Sequence, residues 1–363
     1  MKKLDWYILK KFLTTFFFAI FLFTIIAVAV DISEKTDDFV ASGLSAKEII
    51  MQYYIGFVPY IIALLFPLFV FIAVIFFTSK MAVQSEMIAI LASGTSFNRM
   101  MRPYWIGGIV LGLLALAASN FFVPKANEIR TTFEARYVNA NSTYNPLQQN
   151  TRNIYFRIDS FTYAGVRNYD TSAKSGGPFF MHRVRNNQML YNLRSESIRW
   201  DTAKKNWILQ NAIERNINGL KENVSLTYRK DMKFNFKPFD LSHDTYAKDK
   251  LTSPELENFI KLESLRGSED LNSLLVEKYR RYATPVAVLL LSLIGAVVAC
   301  RKVRGGSGAH IAIGFVLASA FILMDRFSTI FSTKGHLQPI IAAWIPDLVF
   351  FGVALYLYKR APK

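Results

Sequence analysis

The chain has 363 residues, 52% of them hydrophobic, with a mean hydropathy of +0.21 and a formal net charge of +16. That is too apolar for one soluble domain of this length, and the excess is gathered in runs. The single cysteine, Cys300, excludes an internal disulfide and fits no zinc site, so no metal or cofactor is expected.

In chain order, Lys2, Lys3, Lys10 and Lys11 lead into residues 12–30, which carry no Asp, Glu, Lys or Arg. Residues 53–77, 104–123 and 283–300 are likewise uncharged. Each run is near the roughly 20 residues that cross a hydrocarbon core. Residues 309–331 and 339–358 are similar, interrupted by Asp325, Arg326 and Asp347. The pattern predicts six spans: three, a long polar stretch, then three. The first run is about 19 residues, against roughly 7–15 for the core of a signal peptide, although Ala27-Val28-Ala29 mimics a cleavage site.

Short-flank Lys and Arg set the orientation. The N-terminal group, then Lys80, Arg99 and Arg102, then Arg301, Lys302 and Arg304, then Lys359, Arg360 and Lys363 all fall on one side of a six-span chain. That side is expected to be cytoplasmic, with residues 31–48 and 124–282 outside. The net charge would suit nucleic acid, but here it points to lipid headgroups, topology or an anionic substrate, and no nucleic-acid partner is expected.

Between spans two and three lies SEMIAILASG, residues 85–94. It predicts a short helix with Val83, Met87, Ile90 and Leu91 on one stripe. Ala82, Glu86, Ala89 and Ser93 form a second stripe of small side chains with one carboxylate, and Gly94 supplies the stop. Such a face suits a partner's groove; an ordinary interfacial helix is the plainer alternative.

From Asn153 the chain turns to short alternating segments: NIYFRI, FTYAGV, PFFMHRV, QMLYNLRSESIRW, NWILQNAIERNI and VSLTYRKDMKFNF. In residues 197–200 and 225–228 apolar and polar residues alternate as in half-buried strands. Six or more such strands imply a sandwich, jelly roll or curved sheet. The four histidines are scattered, with no HExxH and no G-x-S-x-G, so a binding module is expected rather than an enzyme. Ser253 with Pro254 opens a helix that Gly267 ends, and Ser268 caps another running into span four. Gly305–Ala309 reads as a tight turn.

KKLDWYILKKFL, SEMIAILASG, ELENFIKLESLRG with EKYRRYATPVAVLLLSLIGA, and GHLQPIIAAWIPDLVF together resemble the lipopolysaccharide-export permease family LptF/LptG (the YjgP/YjgQ type). The matching stretches cover both membrane halves. The resemblance implies an α-helical membrane protein with six transmembrane helices and an inserted periplasmic, jelly-roll-like all-β domain. Residues 1–123 would hold spans one to three with a coupling helix at about 80–94. Residues 124–250 would be the β-domain, 251–282 the return and connecting helices, and 283–363 spans four to six.

The resemblance further implies a half-permease of an ABC transporter in the bacterial inner membrane. It would pair with a homologous permease subunit and two copies of a cytoplasmic ATPase. Lipopolysaccharide would pass through the β-domain to periplasmic bridge proteins, including a single-span membrane component. Glu86, with Ala82, Ala89, Ser93 and Gly94, maps onto the ATPase-coupling helix. The chain has no GxxxxGK[ST] loop and is not itself the ATPase.

Val30-Asp31 and Leu323-Met324-Asp325 look more like the LptG type. The basic residue that such members can carry a few positions before the Val-Asp pair is absent, Ala27-Val28-Ala29 standing there, with Lys35 just beyond. Asp31, Lys35, Asp325 and Arg326 are thus cargo or gate candidates. Arg326 and Asp347 are expected to pair and join spans five and six, since a charge within a span is costly and seeks a partner.

Three other function classes fit the residues less well. They are an ABC permease that transmits motion to a different periplasmic task, a membrane-anchored envelope scaffold without an ATPase, and an intramembrane enzyme. The last lacks a catalytic partner for Asp347.

The orientation is testable directly. Single cysteines at Ser93 and Asn211, in a Cys300-free background, should label from opposite faces of the membrane. Labelling of both from one face would refute it.

Overall fold

The computed structural model describes residues 3–138, 152–171, 173–219, 221–234, 236–241, 247–266, 270–300 and 308–360. Gly267, Ser268 and most of the expected turn at residues 305–309 lie outside them. The chain divides into two compact units. One comprises residues 1–130, 248–256 and 272–363; the other comprises 131–247 and 257–271.

The first helix, α1, runs unbroken over Lys3–Ala41. It contains no Gly or Pro. Gly43 turns the chain at φ +67°, and a Ser45–Glu48 capping box opens α2, Ala46–Ile49. A π turn over Ile50–Tyr54 leads into α3, Ile55–Val83. Next come α4 (Glu86–Ala92), α5 (Phe97–Met100), α6 (Arg102–Ala117), a second π turn (Ala118–Phe122) and α7 (Val123–Phe133). After the strands follow α8 (Pro238–Leu241), α9 (Ala247–Lys250), α10 (Ser253–Arg266), α11 (Leu271–Ala299), α12 (Gly308–Lys334) and α13 (Pro339–Lys359). Among the described residues, six helical stretches are long and apolar enough to span a membrane, as expected from the runs.

Their burial is uneven. In the most apolar window of α3 and of α11, 50% and 61% of residues are buried, against 6% in α1 and 17% in α12. The core lies between α3, α6, α11 and the first half of α1, with Phe12, Val70, Val74, Tyr104, Leu111 and Val288 packed together. Lipid tails are as apolar as leucine, so helices associate in a membrane by close packing at small residues. A Cβ on Gly112 would stand 2.9 Å from the carbonyl oxygen of Pro285, and one on Gly108 would stand 2.5 Å from Ser292 Oγ. Both glycines let α6 lie against α11.

The other unit holds an antiparallel sheet in the order β1-β2-β4-β5-β7-β6-β3, with β8 also on β7. The strands are β1 (Arg152–Asp159), β2 (Thr162–Tyr169), β3 (Ser175–Gly176), β4 (Phe179–Arg185), β5 (Gln188–Ser195), β6 (Ser197–Asp201), β7 (Asn206–Asn218) and β8 (Lys221–Met232). Phe156, Ala164, Met181, Leu193 and Ala212 point to one face and join Trp207 and Phe236 in its core. Two expectations shift. Residues 225–228 are not half-buried: Leu226 is 74% and Tyr228 79% exposed, because the β7–β8 register turns both to the face opposite the sheet core. The helix at 253 is capped one residue earlier. Thr252 N–H and Oγ1 donate to Glu255 Oε2 at 2.9 and 2.6 Å, holding that carboxyl below its usual range.

Trp207 is fully buried, and its Nε1 donates to the Phe236 carbonyl at 2.9 Å. Trp207→Ala should destabilise the β unit by about 3–5 kcal/mol, seen as earlier proteolysis within the strands during thermal titration.

Candidate functional site

Three polar clusters stand out in the membrane unit. The first is around Glu86. After α3 ends at Val83, Ser85 takes a left-handed conformation, φ +62°, and the chain restarts as α4. Met87 is buried while Ala89 and Ser93 are exposed, and Gly94 closes the helix at φ +81°. Glu86 faces α1. Its carboxylate accepts from Lys11 Nζ at 3.1 Å and from Tyr7 Oη at 3.0 Å. Because the chain changes direction at Ser85, Ala82 does not extend the Glu86–Ala89–Ser93 face. It is 1% exposed in the core. Val83, expected on the packed stripe, is exposed for the same reason.

The second cluster ties the far part of α1 to the start of α3. Asp31 is buried and accepts from Tyr53 Oη and Tyr54 Oη, each at 3.0 Å. Lys35, one turn on, reaches Asp31 Oδ1 at 2.8 Å, bonds Tyr53 Oη, and lies 4.6 Å from the Tyr53 ring centroid. The Asp31–Lys35 pair therefore largely cancels its own charge. No signal separated by 18–23 positions marks these partners in the sequence, although a Tyr-Tyr pair at a span end fits an aromatic belt.

The third cluster lines a cavity of about 640 Å³ among α3, α6, α9, α11, α12 and α13. Leu64, Leu114, Phe321 and Ile322 supply apolar wall; Arg280, Arg281, Asp325, Arg326 and Asp347 supply charge. Arg280 Nη2 meets Asp325 Oδ2 at 3.1 Å and Thr329 Oγ1 at 2.5 Å. Arg281, 4% exposed, bonds Glu277 Oε1 at 3.3 Å, Ser253 Oγ at 3.1 Å and the Lys248 carbonyl at 3.0 Å.

Arg326 and Asp347 reach the same cavity, but no ion pair joins them. Both Asp347 carboxylate oxygens are buried without a hydrogen-bond partner. Neighbours on a helix point about 100° apart, so turning Asp325 to Arg280 turns Arg326 away, and it is exposed. In the sequence Arg280 and Arg281 are simply two basic residues just ahead of the uncharged run 283–300, with nothing to mark their partners. Their partners come from α12, from α9 and α10, and from Glu277 on α11 itself.

The family model for the lipopolysaccharide export system permease LptF/LptG matches residues 6–360. The chain is 21% identical to the lipopolysaccharide export system permease protein LptG of Escherichia coli strain K12 over 362 residues, 98% of each chain. Identity and coverage are the same for the protein of that name from Escherichia coli O6:H1 strain CFT073.

Asp249, in α9, lines the cavity too. Burial pushes its carboxyl up to about 6, and the neighbouring Glu277 adds to the rise. The folded state thus favours the protonated acid. Above about pH 6 the ionised group costs stability, and the cost is relieved as pH falls through that value. Asp249→Asn should raise the melting temperature more at pH 7.5 than at pH 4.5, because the cost fades as pH falls from about 6 toward the ordinary carboxylate range. Equal shifts at both would exclude this titration.

Proposed function

Because the chain belongs to the lipopolysaccharide export permease family LptF/LptG, and is a multi-pass membrane protein and transport subunit, we propose that it is one half of the membrane channel of an ABC exporter, on the LptG side. A homologous subunit completes the channel. Two copies of a cytoplasmic ATPase drive it, and the membrane is the bacterial inner membrane. Lipopolysaccharide leaves through the periplasmic β-domain toward a bridge that includes a single-span component.

The observation that carries this reading is the short helix α4. It presents Ala89, Ser93 and Gly94 as a low surface around Glu86, and its acid grips the first span. A partner's basic residue that takes up Glu86 competes with Lys11 and Tyr7, so ATPase contact is felt directly by α1. The exposed apolar flanks of α1 and α12 fit coverage by a homologous subunit and by acyl chains. Among the charged candidates, Arg326 is the one left exposed to meet an anionic headgroup. Asp31, Lys35 and Asp325 act as brace rather than as cargo contacts.

Glu86→Lys tests the assignment. Placing like charge against a basic groove removes an interaction of about 2–5 kcal/mol, so ATPase co-purification and transport-linked hydrolysis should fall together. The Lys11–Glu86 pair, a third exposed on each side, contributes only about 0–1 kcal/mol to the fold, so membrane abundance should hold. Wild-type hydrolysis in this variant would sink the coupling role.

A further inference from the structure

The face of the sheet opposite its core is not an ordinary polar surface. Strand register aligns two rows across it. One row runs Tyr155, Gly165, Phe180, Arg194, Ile213, Leu226. The next runs Arg157, Tyr163, His182, Asn192, Arg215, Val224. Four rings sit together at the β1-β2-β4 end.

Phe180 folds over Gly165. A Cβ on that glycine would lie 2.5 and 2.6 Å from Phe180 Cε1 and Cζ, and 2.8 Å from Tyr155 Cδ1. Only glycine lets these rings lean across the sheet. His182 lies 5.5 Å from Phe180, parallel to within 5°, and Tyr163 lies 5.9 Å from His182 at 25°. Tyr155 is 62% and Tyr163 43% exposed.

The charge on these rows is one-sided. They contain Arg157, Arg194 and Arg215 and no acid. Arg157 is anchored beside the rings. Its Nη2 donates to the Ser160 carbonyl at 2.5 Å, and its guanidinium stands 5.5 Å from the Tyr163 centroid. Arg215 meets Glu222 at 3.5 Å, while Arg194 is exposed at the edge of the ring cluster.

Near-parallel exposed rings present flat apolar faces with polar edges, and guanidinium groups hold carboxylate or phosphate by paired hydrogen bonds. A sugar ring has one face of C–H groups, which stacks on such a surface, and hydroxyls that hydrogen-bond around it. We propose that this face binds the anionic saccharide part of the cargo glycolipid: a sugar stacks on Tyr163, His182 and Phe180 while its acidic substituent meets Arg157 or Arg194. The proposal rests on lipopolysaccharide being the cargo. It gives the β-domain a second role, on the face of its sheet opposite the core, beside the passage of the cargo toward the bridge.

The test uses the full-length protein in lipid nanodiscs and a delipidated, phosphate-bearing oligosaccharide released from lipopolysaccharide by mild acid. Saturation-transfer NMR should show contact to sugar C–H protons, and titration should saturate. Tyr163→Ala and Arg194→Gln should each weaken binding about fivefold to tenfold, and Tyr163→Phe should restore it. A neutral glucan of similar length should bind less well, and inorganic phosphate should compete poorly.

Absence of saturable binding, unchanged affinity in Tyr163→Ala, or full competition by inorganic phosphate would overturn the proposal. So would loss of a protein partner from Tyr163→Ala with oligosaccharide affinity intact. If intact lipopolysaccharide co-purifies while the oligosaccharide does not bind, this surface assignment falls and the export role stands. If neither associates, both fall.

Discussion

The membrane unit depends on the contact of α11 with α3 and α6. These helices bury what the others leave open, and they do so without the hydrophobic drive that assembles a soluble core. Gly108 and Gly112 bring α6 against the stretch of α11 from Pro285 to Ser292. On another side, a Cβ on Gly314 of α12 would stand 2.2 Å from Ile75 Cδ1, so the terminal methyl of Ile75 in α3 occupies the space that this glycine leaves. Thr78 and Tyr104 add a buried hydroxyl pair at 2.9 Å between α3 and α6. With that seam fixed, α1 and α12 are free to keep most of their surface outward.

Charges are placed where the seam leaves room. Burying an ion is expensive unless its partner is buried with it. Arg281 meets this condition with a carboxylate, a hydroxyl and a carbonyl, and Asp31 meets it with two tyrosines and a lysine. Asp347 does not: both its carboxylate oxygens are buried beside Pro346 in the cavity wall with no hydrogen-bond partner.

How much of this was legible in the sequence follows from range. The six spans and most strands are local patterns of hydropathy and alternation, and the structure has them. The stop at Gly94 is local as well. The break at Ser85 is not legible in the sequence, because a serine with positive φ carries no compositional mark, and the letters therefore place Ala82 on the face of the helix that follows rather than in α3. Lys11 and Glu86 meet across 75 positions, and Arg280 and Asp325 across 45. Such pairs depend on how helices are phased against each other, which one chain of letters does not encode locally. The Arg326–Asp347 expectation failed by one position of phase. The exposed sheet face needed register before its arginines and rings became neighbours.

The absence of glycine and proline from α1 has a mechanical consequence. An unbroken helix resists twisting and bending, whereas kinks concentrate at proline, glycine pairs or bulges. Lys11 and Asp31 are twenty residues apart, about 30 Å of rod at 1.5 Å per residue. Each is a point where the rod is fastened to something else, and between them the side chains are largely outward. α1 is one continuous strut, held near one end to α4 through Tyr7 and Lys11, along its side by Phe12 and Phe16 in the core, and near the other end to the start of α3 through Asp31, so α4 and the Tyr53–Tyr54 pair share a single member.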